Sequence, residues 1–182
     1  YPHKEDEFWL WVSSWALFIG KPSDLGYDDT GYALPPLDVR THIVRGRYGE
    51  DADRDGQFKL MHDAAVSLAE ASREKRESID ARVAVAKEIV DSDPEAHFLL
   101  WHDLEAERHA ICKALSDTVD IYGSMDYAER EKRVIDFSEG RCRLFATKKS
   151  LSGSGCNFQR HCHRAIFVGI DYEFNDFIQA VH

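Results

Sequence analysis

The sequence lacks the features that would place the protein in a membrane or in an oxidising compartment. Its 182 residues contain no apolar run that approaches the roughly 20 residues of a membrane span. The four cysteines have no disulfide-framework spacing, so we expect reduced thiols. The acidic start, YPHKEDEF, does not resemble a signal peptide. We therefore expect a cytoplasmic protein without a membrane partner.

Common catalytic and metal-binding motifs are also missing. No Gly-x-x-x-x-Gly-Lys-Ser/Thr phosphate loop is present, and no Asp-Glu pair follows an apolar strand, so the main ligands of Mg-ATP are absent. The aspartates within residues 51–55 imitate half of a calcium loop, but His62 stands where a glutamate is needed. Cys156 and Cys162 lack the spacing of zinc ligands. We predict no catalytic residue, no metal site and no ATP hydrolysis by this chain alone.

Acidic residues outnumber basic ones by 33 to 23, and the net charge of −10 argues against a surface devoted to nucleic acid. The distribution of charge is uneven, because residues 141–164 contain no acidic residue. The basic residues of this stretch are Arg141, Arg143, Lys148, Lys149, Arg160 and Arg164. They either form one basic patch or lie on different faces of the protein, and the sequence leaves both arrangements open.

We expect residues 1–60 to form a mainly helical N-terminal segment that ends in a linker strand. Residues 7–19, EFWLWVSSWALFI, are apolar nearly all round and predict a buried helix. Base stacking by one tryptophan is the alternative to core packing. Residues 35–44, PPLDVRTHIV, alternate apolar and polar side chains and predict a half-buried edge or linker strand.

Residues 61–182 predict a single α/β domain. Residues 61–92 contain neither proline nor glycine and predict one long helix, or two helices with a kink. Short apolar runs that predict strands then alternate with helical patterns, near residues 97–101, 119–121, 144–146 and 165–168. Strands that alternate with helices form parallel sheets with right-handed crossovers. We therefore predict a doubly wound parallel sheet.

The most informative stretch runs from residue 120 to residue 157. A glycine turn, a helical pattern that ends at Gly140 and an apolar strand lead into Thr147-Lys148-Lys149 and the loop SLSGSGCN. The carboxyl ends of parallel strands are where open α/β sheets bind ligands. Hydroxyl groups, glycine amides and lysines at this position can hold a phosphate chain without reading bases.

This order of features resembles the second RecA-like domain of superfamily-2 helicases and translocases. Residues 153–158, GSGCNF, resemble motif V of the Swi/Snf branch, and residues 176–182, DFIQAVH, resemble the opening of motif VI. WVSSWA and KPSDLGYDD resemble the region after the first RecA-like domain of phage-type helicases. The resemblance covers roughly residues 97–182. It implies that the first ATPase lobe and the motif VI arginines lie outside this chain.

The resemblance also implies roles for individual residues. The implied DNA-backbone contacts are Gly123, Thr147, Lys148, Lys149 and Arg160. The residues implied at a nucleotide cleft between two lobes are Gly155, Asn157 and Gln179. ATP and Mg²⁺ would then be cofactors of the intact protein and not of this chain alone.

Two functions follow from these observations. The leading interpretation is a fragment of a DNA-dependent ATPase, a helicase or translocase, which contributes nonspecific DNA-backbone contacts and one wall of the ATP cleft. The alternative is a stand-alone α/β nucleic-acid-binding or adaptor domain without ATPase activity. The expected partners are DNA and the first RecA-like lobe. Apolar side chains at Phe174, Phe177 and Ile178 also predict a surface through which the chain could form a homo-oligomer.

Overall fold

The computed structural model describes residues 4–17, 19–32, 36–44, 68–153, 155–171 and 173–181. The chain divides into two compact units, residues 1–41 and residues 42–182. The calcium-like loop and the predicted boundary between residues 60 and 61 lie outside the described residues, as does the first part of the helix predicted to begin at residue 61. No helix within the described ranges has the length and apolar character needed to cross a bilayer.

In its described part, the first unit contains the α-helix α1 (Glu5–Ser13) and a 3₁₀ turn (Pro22–Leu25). Asp24 fixes the start of this turn, because its carboxylate accepts hydrogen bonds from the backbone N–H groups of Gly20 and Lys21, at 2.8 and 3.1 Å. An acidic side chain that accepts from free N–H groups stabilises the first turn of a helix.

Two predictions for this part of the chain are wrong. α1 is not a buried helix, because Val12 is its one buried residue and Trp11 is 60% exposed. Its aromatic rings instead contact each other, with the centroids of Phe8 and Trp9 5.2 Å apart. Residues 36–44 form no strand. Both differences have one physical reason: a helix face or a strand is buried only against a second layer, and the described residues of these two segments have none against them.

The second unit is built on a four-stranded sheet. Its strands are β1 (Phe98–Trp101), β2 (Thr118–Asp120), β3 (Leu144–Thr147) and β4 (Arg164–Phe167). The strand order is β2-β3-β1-β4, and every pair is parallel. Its helices are α2 (Leu68–Glu77), α3 (Ile79–Asp91), α4 (Glu105–Ala114), α5 (Tyr127–Ser138), α6 (Lys149–Ser152) and α7 (Phe174–Val181). Within the described residues, the break at Ser78 between α2 and α3 agrees with two helices, one of the two arrangements that the sequence left open.

Both faces of the sheet are covered, which confirms the predicted doubly wound α/β fold. On one face, Val90 of α3 and Ile111 of α4 belong to the same apolar core as Leu100. On the other, Phe137 of α5 stacks on Phe145 with ring centroids 4.9 Å apart. The chain crosses the sheet in one direction through α4 and returns through α5. Helices on opposite faces therefore give both crossovers the same hand, as the right-handed rule requires.

Candidate functional site

The carboxyl ends of β1 and β3 form the switch point of this sheet. From β1 the chain crosses toward β2, and from β3 it crosses in the opposite direction toward β4. The space outside two such strands is where open α/β sheets bind ligands. The backbone N–H of His102, just after β1, donates to the carbonyl of Thr147, at the end of β3, at 3.1 Å. We call the region of His102, Thr147 and Lys148 the switch-point crevice.

Lys148 is the cation at this crevice. Its side chain is 29% exposed, and its ammonium lies 3.0 Å from Oε1 of Glu105 on the first turn of α4. Oε2 of Glu105 accepts a hydrogen bond from Nε of Arg108 at 2.8 Å. The hydrogen bonds from Arg108 and Lys148 lower the pKa of Glu105 to about 2. The carboxylate is therefore ionised, and it is shared between two cations.

Arg108 extends this pair into a chain of alternating charges. Its guanidinium also bonds the carboxylate of Asp120, at the end of β2, and lies over the ring of Tyr122, 4.5 Å from the centroid. Arg133 of α5 pairs with the other carboxylate oxygen of Asp120, at 3.2 Å. Each charge is thus paired, and Arg108 is held more firmly than Lys148 because its side chain is only 14% exposed.

His102 lies buried beside these charges. Only 1% of the residue is exposed, and neither ring nitrogen has a hydrogen-bond partner among the described residues. Burial, and secondly the neighbouring Lys148 ammonium, together lower the pKa of His102 to about 4. The imidazole is therefore neutral at pH 7.

The side chains of the consecutive residues Thr147, Lys148 and Lys149 have different environments. Thr147 is fully buried, and its hydroxyl accepts from Oγ of Ser152 at 2.9 Å and donates to the Lys148 carbonyl at 3.2 Å. Lys149 is buried and forms an ion pair with Asp171, beyond β4. These two side chains hold α6 against neighbouring segments, so Lys148 carries the accessible charge of this triplet.

Gly123 lies at the same edge of the sheet, in the exposed turn after β2, which is the strand next to β3. Arg130 of α5 holds this turn, because Nη2 donates to the carbonyls of Gly123 and Met125 at 3.0 and 3.2 Å. Asp126 begins α5 by accepting from two backbone N–H groups. Arg130 therefore stabilises the turn at Gly123 that precedes its own helix.

Of the two arrangements that the sequence left open for the basic residues of 141–164, the structure shows the one in which they lie at different places on the domain. Arg164 begins β4, at the opposite end of the sheet from Lys148, and its guanidinium is 2.7 Å from Asp93. Arg160 lies at the same distant end, because the ring of its neighbour His161 contacts Gly140 just before β3. The physical reason is the parallel sheet itself, since a crossover must return the chain from the carboxyl edge to the amino edge.

The three residues predicted at a nucleotide cleft lie on two segments. Gly155 is exposed, with a left-handed φ of 77° that favours glycine. The side-chain oxygen of Asn157 accepts from the N–H of Gln159 at 3.1 Å, and Ser138 at the end of α5 donates to the Asn157 carbonyl. Gln179 is exposed on α7.

These three residues do not fit a complete Mg-ATP site. The side-chain oxygen of Asn157 is used by its own turn, and glycine and glutamine offer no charge for a triphosphate. Within the described ranges, no group of three His, Cys, Asp or Glu side chains could hold a metal ion. No step of ATP chemistry follows from this arrangement.

A buried ion pair below the crevice escaped prediction from the sequence. Glu107 is fully buried, and its Oε1 lies 2.7 Å from Arg82 of α3. Its Oε2 accepts from the N–H groups of Asp103 and Leu104 at 2.8 and 2.9 Å. A side chain on Gly169, after β4, would place Cβ 2.0 Å from this oxygen. One sequence signal could have indicated the role of Glu107. It lies three residues after Leu104, the residue that caps α4, and a glutamate at that position is half of a capping box.

No protein-family model matches the sequence, and no curated protein matches it. Among solved structures, the chain is similar to the C-terminal part of the Fun30 ATPase domain, with a TM-score of 0.49 and 16% sequence identity. The similarity covers 56% of this chain and 35% of that chain. The matched region is thus about a third of the length of that neighbour.

Proposed function

We propose that the chain is the second RecA-like lobe of a Swi/Snf-like, superfamily-2 helicase or translocase, and that its switch-point crevice contacts the DNA backbone. The motif order in residues 97–182 supports the family, and the doubly wound parallel sheet is the fold that this family requires. The observation that carries the proposal is Lys148, a partly exposed ammonium at the topological switch point. In the intact protein, ATP and Mg²⁺ would lie between this lobe and the first, with Gly155, Asn157 and Gln179 toward the cleft.

The chemistry of the crevice suits phosphate groups and not bases. An ammonium is a point charge that neutralises a phosphate oxygen without directional selection. The exposed turn at Gly123, on the neighbouring strand, brings backbone amides to the same edge. Contacts to phosphates position a protein on DNA but carry no sequence information. The net charge of −10 repels DNA, so we expect dissociation constants no better than roughly micromolar.

Replacing Lys148 by alanine tests this function. We expect weaker binding to two unrelated duplexes alike, and a plot of log K against log salt that is flatter by about one unit. Fluorescence anisotropy titrations across a salt series measure both quantities. Lys113→Ala is the matched control, because it removes the same charge from an exposed position near the far end of α4. If both variants bind DNA as tightly as the unchanged chain, Lys148 does not contact the DNA.

A further inference from the structure

We infer that Glu105 is an internal competitor of phosphate: its carboxylate occupies Lys148 in the unbound chain, and an incoming DNA phosphate must displace it. This inference rests on the proposed function and adds the regulation of the same site. The groups involved are the Lys148 ammonium, the Glu105 carboxylate and the Arg108 guanidinium.

The geometry makes the carboxylate a substitute for a bound anion. Its two oxygens bind two different cations, Oε1 at 3.0 Å from Nζ of Lys148 and Oε2 at 2.8 Å from Nε of Arg108. A phosphate that bridges two donors makes the same kind of contact. Because both cations stabilise its charge, Glu105 is ionised at any pH near neutrality. The competitor is therefore always present when DNA arrives.

Displacement is feasible because the pair is exposed and the carboxylate keeps a second partner. Half of the Glu105 side chain is accessible, so the group can rotate away from Lys148 into water. Arg108 remains beside it, fixed by Asp120 and by the ring of Tyr122. A partly exposed ion pair contributes little to stability, so the cost of breaking it should weaken DNA binding by the unchanged chain only about two- to five-fold.

The variant that tests the inference is Glu105→Gln, which keeps the size of the side chain and removes its charge. We expect it to bind duplex DNA about two- to five-fold more tightly than the unchanged chain. The slope of log K against log salt should change by less than about one unit, because Lys148 contacts one phosphate in both proteins. Glu131→Gln is the matched control, with the same change of net charge at an exposed position on α5.

The double variant Glu105→Gln/Lys148→Ala separates competition from a general effect of charge. If Glu105 acts through Lys148, the gain in affinity disappears in the double variant. A gain that persists without Lys148, or a Glu105→Gln affinity equal to that of Glu131→Gln, overturns the inference.

The same titrations distinguish the inference from the function on which it rests. If Lys148→Ala weakens binding while Glu105→Gln leaves it unchanged, the crevice binds DNA without an internal competitor, and only the inference is wrong. If neither the unchanged chain nor any variant binds duplex DNA, the proposed function is wrong and the inference falls with it. Thermal unfolding of each variant, followed by circular dichroism, confirms that the affinities compare folded proteins.

Discussion

Replacing Glu107 by alanine should lower the free energy of unfolding by about 3–5 kcal/mol, a large share of the total for a domain of this size. The substitution leaves the Arg82 guanidinium, which is itself only 19% exposed, without its carboxylate. It also removes the acceptor of the Asp103 and Leu104 N–H groups at the start of α4. Urea denaturation followed by circular dichroism measures the loss.

Two further variants show whether the loss comes from the buried pair. Glu131→Ala removes an exposed acid from α5 and should change the free energy of unfolding by less than about 0.5 kcal/mol. Gly169→Ala should destabilise the protein strongly, because its Cβ would lie 2.0 Å from Oε2 of Glu107. A loss below about 1 kcal/mol for Glu107→Ala would show that the pair does not hold this edge together.

Acidification should destabilise the protein through His102. Its pKa is about 4 in the folded chain against 6.5 for the ordinary side chain, so the unfolded chain binds one more proton between these values. Stability is therefore fully present above about pH 6.5 and falls as the pH drops toward 4. At about 1.4 kcal/mol per pKa unit, the loss amounts to about 3 kcal/mol.

The measurement is the free energy of unfolding at pH 7 and at pH 4, for the unchanged chain and for His102→Gln. The variant cannot titrate at this position. Between pH 7 and pH 4, its free energy of unfolding should therefore fall by about 3 kcal/mol less than that of the unchanged chain. His163→Gln, at an exposed position before β4, is the control and should retain the full dependence. The Lys148–Glu105 pair does not blur the comparison, because the low pKa of Glu105 keeps it ionised at pH 4. Parallel pH curves for His102→Gln and the unchanged chain would contradict the assignment.

The strands of the second unit could be predicted because burial leaves a simple trace in the sequence. A strand covered on both faces is a short apolar run, and β1 and β3 are such runs, with every residue buried. The helix over residues 127–138 was equally predictable from its helical spacing and from Gly140, which ends the pattern; the Asp126 cap was found only in the structure. The order of strands and helices along the chain then predicted the fold class, because few layer architectures accommodate strands that alternate with helices.

The site was harder to predict because it depends on partners that are distant in sequence. Lys148 and Lys149 are adjacent, yet one pairs with Glu105 and remains accessible, while the other is buried against Asp171. No feature of the neighbouring sequence distinguishes Lys148 from Lys149. Glu107 likewise finds its partner, Arg82, on another helix. At residues 36–44 the sequence predicted a strand that the structure does not contain. An alternating pattern forms a strand only where a neighbouring strand can pair with it.

The most direct test of the central claim is a map of amide chemical shifts in the ¹⁵N-labelled chain, recorded during a titration with a short DNA duplex. We predict that the largest changes lie at the carboxyl edge of the sheet, in residues 122–125, at Lys148 and at Glu105. Residues 160–164, at the opposite edge, should change little. Changes confined to residues 160–164, with Lys148 and Glu105 unaffected, would contradict the proposal that the switch-point crevice is the DNA contact.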